Sequence, residues 1–233
     1  IAPNAPCVLA IDAGVSSDLF VAVSAIWYTV NLRIKSEDGL ELLKPTPVPL
    51  IREVKSWNPV YTEGGQVDFR EPQDWVMRFR QVRPVRSIVY DPYQLVGFGQ
   101  ELQRIANARE FSQGTERVQA DTSFRNRIAQ GQIRHLNDPE LNAHIFNANI
   151  KQVGDGDTKK IRIIKRNKAS KIDLAVAASM AAWELTNNFA FDIAAAPPES
   201  GRAITPHNPI RQTSAIFKGM PNSLYRKVIK YND

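Results

Sequence analysis

Asp12 closes an apolar run, Cys7-Val8-Leu9-Ala10-Ile11-Asp12, and Asp91 closes a second, Ser87-Ile88-Val89-Tyr90-Asp91. Asp173 opens a helical run, Lys171-Ile172-Asp173-Leu174-Ala175-Val176-Ala177-Ala178. Two strand-end carboxylates and one helix-start carboxylate can converge at one edge of a sheet. Carboxylates gathered there repel one another, so they stay ionised only beside cations. An all-oxygen donor set of this kind suits a hard divalent cation. Paired metals about 3.5–4 Å apart are a standard device for cutting phosphodiesters. Taken singly, each aspartate also fits a structural role. Asp12 and Asp91 fit turns, and Asp173 fits a capping box, Ser170-Lys171-Ile172-Asp173. They lie far apart in the chain, so their spacing is no local motif.

The elements that must position them read as alternating strands and helices. Residues 7–12 suit a buried strand, followed by a turn of small and polar residues, Ala13 to Asp18. Leu19–Ile34 is rich in β-branched and aromatic residues and suits one long strand antiparallel to the first. Residues 36–50, with prolines at 45, 47 and 49, read as irregular, and 51–57 as a third strand. A helix is expected from about Glu71 to Val82, opened by Pro72 and stopped before Pro84. Ser87–Tyr90 follows as a short strand. Pro92–Ala108 and Glu116–Ala129 read as helices, Gly131–Arg134 as extended, and Pro139–Asn147 as a short helix. Residues 149–165 suit a hairpin turning at Gly154-Asp155-Gly156-Asp157. Residues 171–187 form a helix whose alanines allow close packing on a sheet. Residues 194–221 hold five prolines, which reads as an extended tail.

Composition places limits on function. The 233 residues suffice for a full core, and 43 % hydrophobic with 23 % charged residues is ordinary for a globular chain. No apolar run is long enough for a membrane span, and no signal peptide is evident. The non-Met start suggests a piece of something longer. The single cysteine, Cys7, excludes an internal disulfide and a cysteine zinc cluster. The formal net charge is +6. Residues 78–134 carry ten Arg against five acidic residues, and residues 151–171 carry eight Lys or Arg against two. This excess flanks the carboxylate segments and points to a nucleic-acid partner.

Four blocks, in order, are similar to a known family. They are Ile11-Asp12-Ala13-Gly14-Val15-Ser16-Ser17-Asp18-Leu19 and Tyr90-Asp91-Pro92-Tyr93. Then come Gly131-Gln132-Ile133-Arg134-His135 with Pro139-Glu140-Leu141 and Asn147, and finally Lys165 with Lys171-Ile172-Asp173 before Ala181-Ala182-Trp183. The chain resembles the C-terminal nuclease domain of the large terminase subunit of tailed bacteriophages. The resemblance covers roughly residues 7–187. Two places depart from the family pattern: Ala13-Gly14 replaces a larger residue and Ser, and Leu174 stands where Gly is common.

The resemblance implies an α/β fold, ribonuclease H-like, with a mixed central sheet flanked by helices. Residues 1–188 would form the nuclease domain and 189–233 a basic, Pro-containing C-terminal tail. It implies a metal-dependent endonuclease cutting concatemeric viral double-stranded DNA during packaging. Asp12, Asp91 and Asp173 would be the catalytic residues, holding two divalent cations, Mg²⁺ or Mn²⁺. Asp18, Lys165, Lys171 and His135 would be auxiliary, and Arg166 and Lys168 would contact DNA. Expected partners are an N-terminal packaging ATPase, a portal and a small terminase subunit, in the bacterial host cytoplasm and with no membrane. The ATPase needs a phosphate loop ending Gly-Lys-Ser/Thr, and this chain has no Gly-Lys dipeptide.

Other readings remain open to the sequence. Another ribonuclease H-like nuclease, of resolvase or transposase type, would use the Asp12 and Asp91 strands equally well. Ala10-Ile11-Asp12-Ala13-Gly14 is similar to the first phosphate loop of sugar and acetate kinases, though a second such loop is missing. A non-catalytic DNA-binding module would need only the basic segments.

Overall fold

A computed structural model of the chain describes residues 2–190 except 3, 15–17, 36–37, 62–64 and 155–158. Six strands form one mixed sheet: β1 (Cys7–Asp12), β2 (Phe20–Lys35), β3 (Glu41–Trp57), β4 (Val85–Tyr90), β5 (Ala108–Glu110) and β6 (Arg134–His135). Their order is β5-β4-β1-β2-β3-β6. The β1–β2 and β2–β3 pairs are antiparallel; β1–β4, β4–β5 and β3–β6 are parallel. Among the described residues, five α-helices accompany the sheet: α1 (Arg70–Val82), α2 (Val96–Ile105), α3 (Thr115–Ala129), α4 (Pro139–Asn147) and α5 (Asp173–Asn188). Strands β7 (Ala148–Val153) and β8 (Lys160–Lys165) make a separate antiparallel ribbon.

Side-chain alternation along β1 sorts the core into two layers. Val8 and Ala10 join Val21, Val23 and Val89 on one face, under α3 and α5. Cys7, Leu9 and Ile11 join Ile88 and Tyr90 on the other, under α1 and α2. β1 is therefore covered on both faces, which is why its sequence is a continuous apolar run. Gly99 lets α2 lie against the sheet, since a Cβ there would fall 2.4 Å from the Tyr90 ring.

Several sequence expectations need correction. Residues 41–50 are not irregular: β3 begins at Glu41 and stays paired with β2 through Pro45↔Asn31, Pro47↔Thr29 and Pro49↔Trp27. The three prolines fall two residues apart, so all of them turn their missing N–H to the same edge. That edge faces away from β2, and among the described residues β6 pairs with it at Leu50 and Ile51, beyond the prolines, so no ladder bond is lost. The expected helix from Pro92 to Ala108 begins only at Val96, after a turn closed by Leu95 N–H on the Pro92 carbonyl, and the chain then enters β5. The expected 149–165 hairpin is β7–β8; most of its turn, like Ser16, Ser17 and the tail from 191, lies outside the described residues.

Candidate active site

The parallel β1–β4 ladder ends at Ile11↔Tyr90, and the Asp91 N–H donates to the Ile11 carbonyl at 3.1 Å. Asp12 continues the Val8–Ala10 alternation, and Asp91 continues that of Val89, so both belong to the face covered by α3 and α5. Asp91 also accepts from the Tyr93 N–H at 3.0 Å, which turns the chain toward α2. Burial pushes the Asp12 carboxyl up to about 7; the Arg117 guanidinium opposes this, while Asp173, Asp91 and Asp18 reinforce it.

Asp173 is the first residue of α5 and is buried. Burial raises its pKa and Asp18 adds to the rise, against the pull of Lys165 and the N–H groups of Leu19 and of Asp173 itself. Its Oδ2 is fully enclosed with no hydrogen-bond partner. The residue before it, Ile172, offers no side-chain cap to the helix. The Leu174 N–H is met instead by His144 Nδ1, at 3.0 Å, from α4.

Asp18 precedes β2 and receives the Lys165 ammonium from the end of β8; Lys171 Nζ lies 3.7 Å from the same oxygen. The turn before it closes through the Gly14 N–H on the Leu19 carbonyl at 3.0 Å. A Cβ at Gly14 would fall 2.3 Å from the Asp18 carbonyl carbon, so the tight return requires glycine there.

Asp12, Asp91, Asp173, Asp18, Lys165 and Lys171 are thus drawn to one end of the sheet. His135 is not with them. Asp12 aligns with Val21 and Ser56, whereas His135 pairs with Ile51, five residues lower on β3. Its Nδ1 accepts from the Asn137 N–H at 3.2 Å, and burial lowers its pKa. The Arg166 guanidinium packs over the Phe146 ring at 4.7 Å, and Lys168 is exposed.

Two groups near the aspartates are not among the site residues expected from the sequence. Arg117, buried in α3, sends Nε to both oxygens of Asp121 at 3.0 Å. Asp121 also accepts from Ser179 Oγ at 2.8 Å and the Ile163 N–H at 2.9 Å, tying α3 to α5 and β8. His144 is the second. The four-residue step from 117 to 121 signals an intrahelical ion pair. Nothing local in the sequence signals that either group faces the aspartates.

The donor set fits a divalent cation on chemical grounds. It is all oxygen, one carboxylate oxygen is enclosed without a partner, and two carboxyls have raised pKa values that a cation would reverse. Among the described residues, no three acidic, His or Cys side chains already stand grouped as ligands.

No curated protein matches the chain. Among solved structures, the HK97 bacteriophage large terminase is 18% identical with a TM-score of 0.55, over 78% of this chain and 40% of that one. The large terminase nuclease from thermophilic phage G20c is 12% identical with a TM-score of 0.48, over 79% of this chain and 83% of that one. A structure of that nuclease with bound magnesium gives 13% identity and a TM-score of 0.47. The chain spans less than half of the HK97 protein. The HK97 likeness supports the fold: a ribonuclease H-like mixed sheet flanked by helices. The family described as "Terminase large subunit, endonuclease domain" matches residues 55–188, a stretch that includes Asp91, Lys165, Lys171 and Asp173 but not Asp12. That match covers more than half of the sequence, and the chain belongs to the terminase large subunit endonuclease-domain family.

Proposed function

We propose that this chain is a divalent-metal-dependent endonuclease that cuts concatemeric viral double-stranded DNA during genome packaging. The observation that carries the reading is electrostatic. Asp12, pushed up to about 7, lies at the same end of the sheet as Asp173, whose enclosed Oδ2 has no partner, and Lys165 lies beside them. A structural role for these carboxylates would leave the enclosed oxygen uncompensated.

In this reading Asp12, Asp91 and Asp173 would hold two divalent cations, Mg²⁺ or Mn²⁺. Such ions, when bound, activate a water for in-line attack and stabilise the leaving 3′ oxygen. The rest falls to the chain. Lys165 and Lys171 face the scissile phosphate and offset its developing charge. Asp18 holds Lys165 in place between turnovers. The basic stretch 151–171, with Arg166 and Lys168, follows the DNA backbone without reading bases. His135 stands five residues down β3 from the aligned Ser56, away from the carboxylates.

The proposal extends to setting. A packaging ATPase would feed DNA to this domain, and a portal and small terminase subunit would be its other partners, in the host cytoplasm. No described helix is long and apolar enough to cross a membrane.

The test is cleavage of supercoiled plasmid at low salt with Mg²⁺, Mn²⁺ or EDTA. Nicked and linear products with either metal, and none in EDTA, are expected. Binding of DNA without cutting under every condition would favour a non-catalytic DNA-binding module.

A further inference from the structure

A helix leaves its first N–H groups without intrahelical partners. In α5 these groups surround Asp173, and Ile172 supplies no cap. The cap comes from another helix: the Leu174 N–H donates to His144 Nδ1 at 3.0 Å, with both residues buried. An imidazole nitrogen that accepts from an N–H carries no proton, so His144 is neutral with its proton on Nε2. Burial and the nearby Lys171 charge favour that form, against the weaker pull of Asp138, and hold the pKa at about 4.

The helix that carries His144 is anchored at its first turn. Asp138 caps α4 through the Leu141 N–H at 2.8 Å, with Pro139 in the first turn. Ser56 Oγ on β3 donates to both Glu140 oxygens at 2.7 Å. A line of contacts therefore runs from β3 through α4 to the first turn of α5. On its other side, Asp173 takes the N–H of Leu19 at the start of β2. The aspartate is pinned between two anchors, and its Oδ2 stays free of hydrogen bonds.

We infer that His144 is a positioning residue: its neutral imidazole caps α5 from α4 and thereby fixes the Asp173 carboxylate for a divalent cation. The inference rests on the proposed metal-dependent function and adds a residue to it. Partners that orient a metal ligand typically carry an effect of about 10–100-fold on metal affinity.

The experiment measures Mn²⁺ binding by electron paramagnetic resonance for the parent chain, His144→Asn, His144→Leu and Asp173→Asn. An asparagine Oδ1 can stand where Nδ1 stands and accept the same N–H; leucine retains bulk and accepts nothing. Asn at 144 should bind Mn²⁺ within about threefold of the parent, and Leu should bind about 10–100-fold more weakly. Parent-like affinity in a folded His144→Leu chain overturns the inference, even if its Tm falls. Equal loss in Asn and Leu overturns it too. No Mn²⁺ binding by the parent, or none lost in Asp173→Asn, defeats the metal reading itself and the inference with it. Should the Leu variant fail to fold, the parent still decides. A ¹⁵N–¹⁵N coupling across the hydrogen bond between Leu174 N and His144 Nδ1 supports the cap, and its absence overturns it.

Discussion

The Asp91 amide donates to the Ile11 carbonyl at 3.1 Å, so the β1–β4 ladder closes one residue before Asp12 on one strand and at Asp91 on the other. Both carboxylates leave the sheet together, on the face that α5 covers. The separation of these residues in sequence is removed by one parallel strand pair, and the catalytic proposal depends on that pair more than on any loop.

Asp12 makes the metal-free protein pH-sensitive. Its folded pKa, about 7, lies above the ordinary value of 3.8. The unfolded chain therefore ionises first as pH rises. Stability is fully present below about pH 4 and falls as pH rises to about 7, after which it is level. Asp12→Asn removes this loss. In EDTA at pH 8 the variant should be more stable than the parent by up to about 4 kcal/mol, shrinking to near zero at pH 4. Urea unfolding at the two pH values measures this; a variant equally or less stable at pH 8 would refute it.

Protons and metal compete for the same carboxylate. Below pH 7 the apparent affinity for Mg²⁺ should fall by about tenfold per pH unit if one proton is displaced. Calorimetric titration between pH 5.5 and 8 checks the slope, and a pH-independent affinity would contradict it.

Lys165 pairs with Asp18 at a partly exposed position, where an ion pair contributes about 1 kcal/mol or less to stability. Lys165→Ala should leave Tm almost unchanged and slow DNA cleavage by about 10–100-fold. Unchanged cleavage would remove Lys165 from the mechanism.

The Arg117–Asp121 pair is enclosed, and Asp121 has no exposure at all. Asp121→Ala strands a buried guanidinium and two donors, and should destabilise by about 3–5 kcal/mol in urea unfolding. A loss below about 1 kcal/mol would mean that Arg117 finds water or another acceptor.

Gly14→Ala drives a methyl into the Asp18 backbone. Because Leu19, next to Asp18, also bonds Asp173, this substitution should weaken Mn²⁺ binding without touching any ligand. Parent-like binding would show that the turn yields freely.

The positions of the three aspartates at element ends are legible because the patterns there are strong: two apolar strands and an alanine-rich helix. The first half of β3 is not. Three prolines ordinarily break a strand, and only the open outer edge of β3 makes them harmless. His144 was legible as a helix residue but not as the cap of α5, because the contact joins two helices whose approach depends on tertiary packing. Arg117 was hidden for the same reason. The resemblance gives His135 an auxiliary role, and its pairing with Ile51, a tertiary feature, sets it lower on the sheet than the carboxylates.

The most direct test compares the parent with Asp12→Asn, Asp91→Asn and Asp173→Asn in Mg²⁺- and Mn²⁺-dependent plasmid cleavage, each variant first checked for folding and DNA binding. The account predicts that every one of the three abolishes cutting while DNA binding persists. Cutting that survives in any folded variant would contradict a shared carboxylate site and return that aspartate to a structural role.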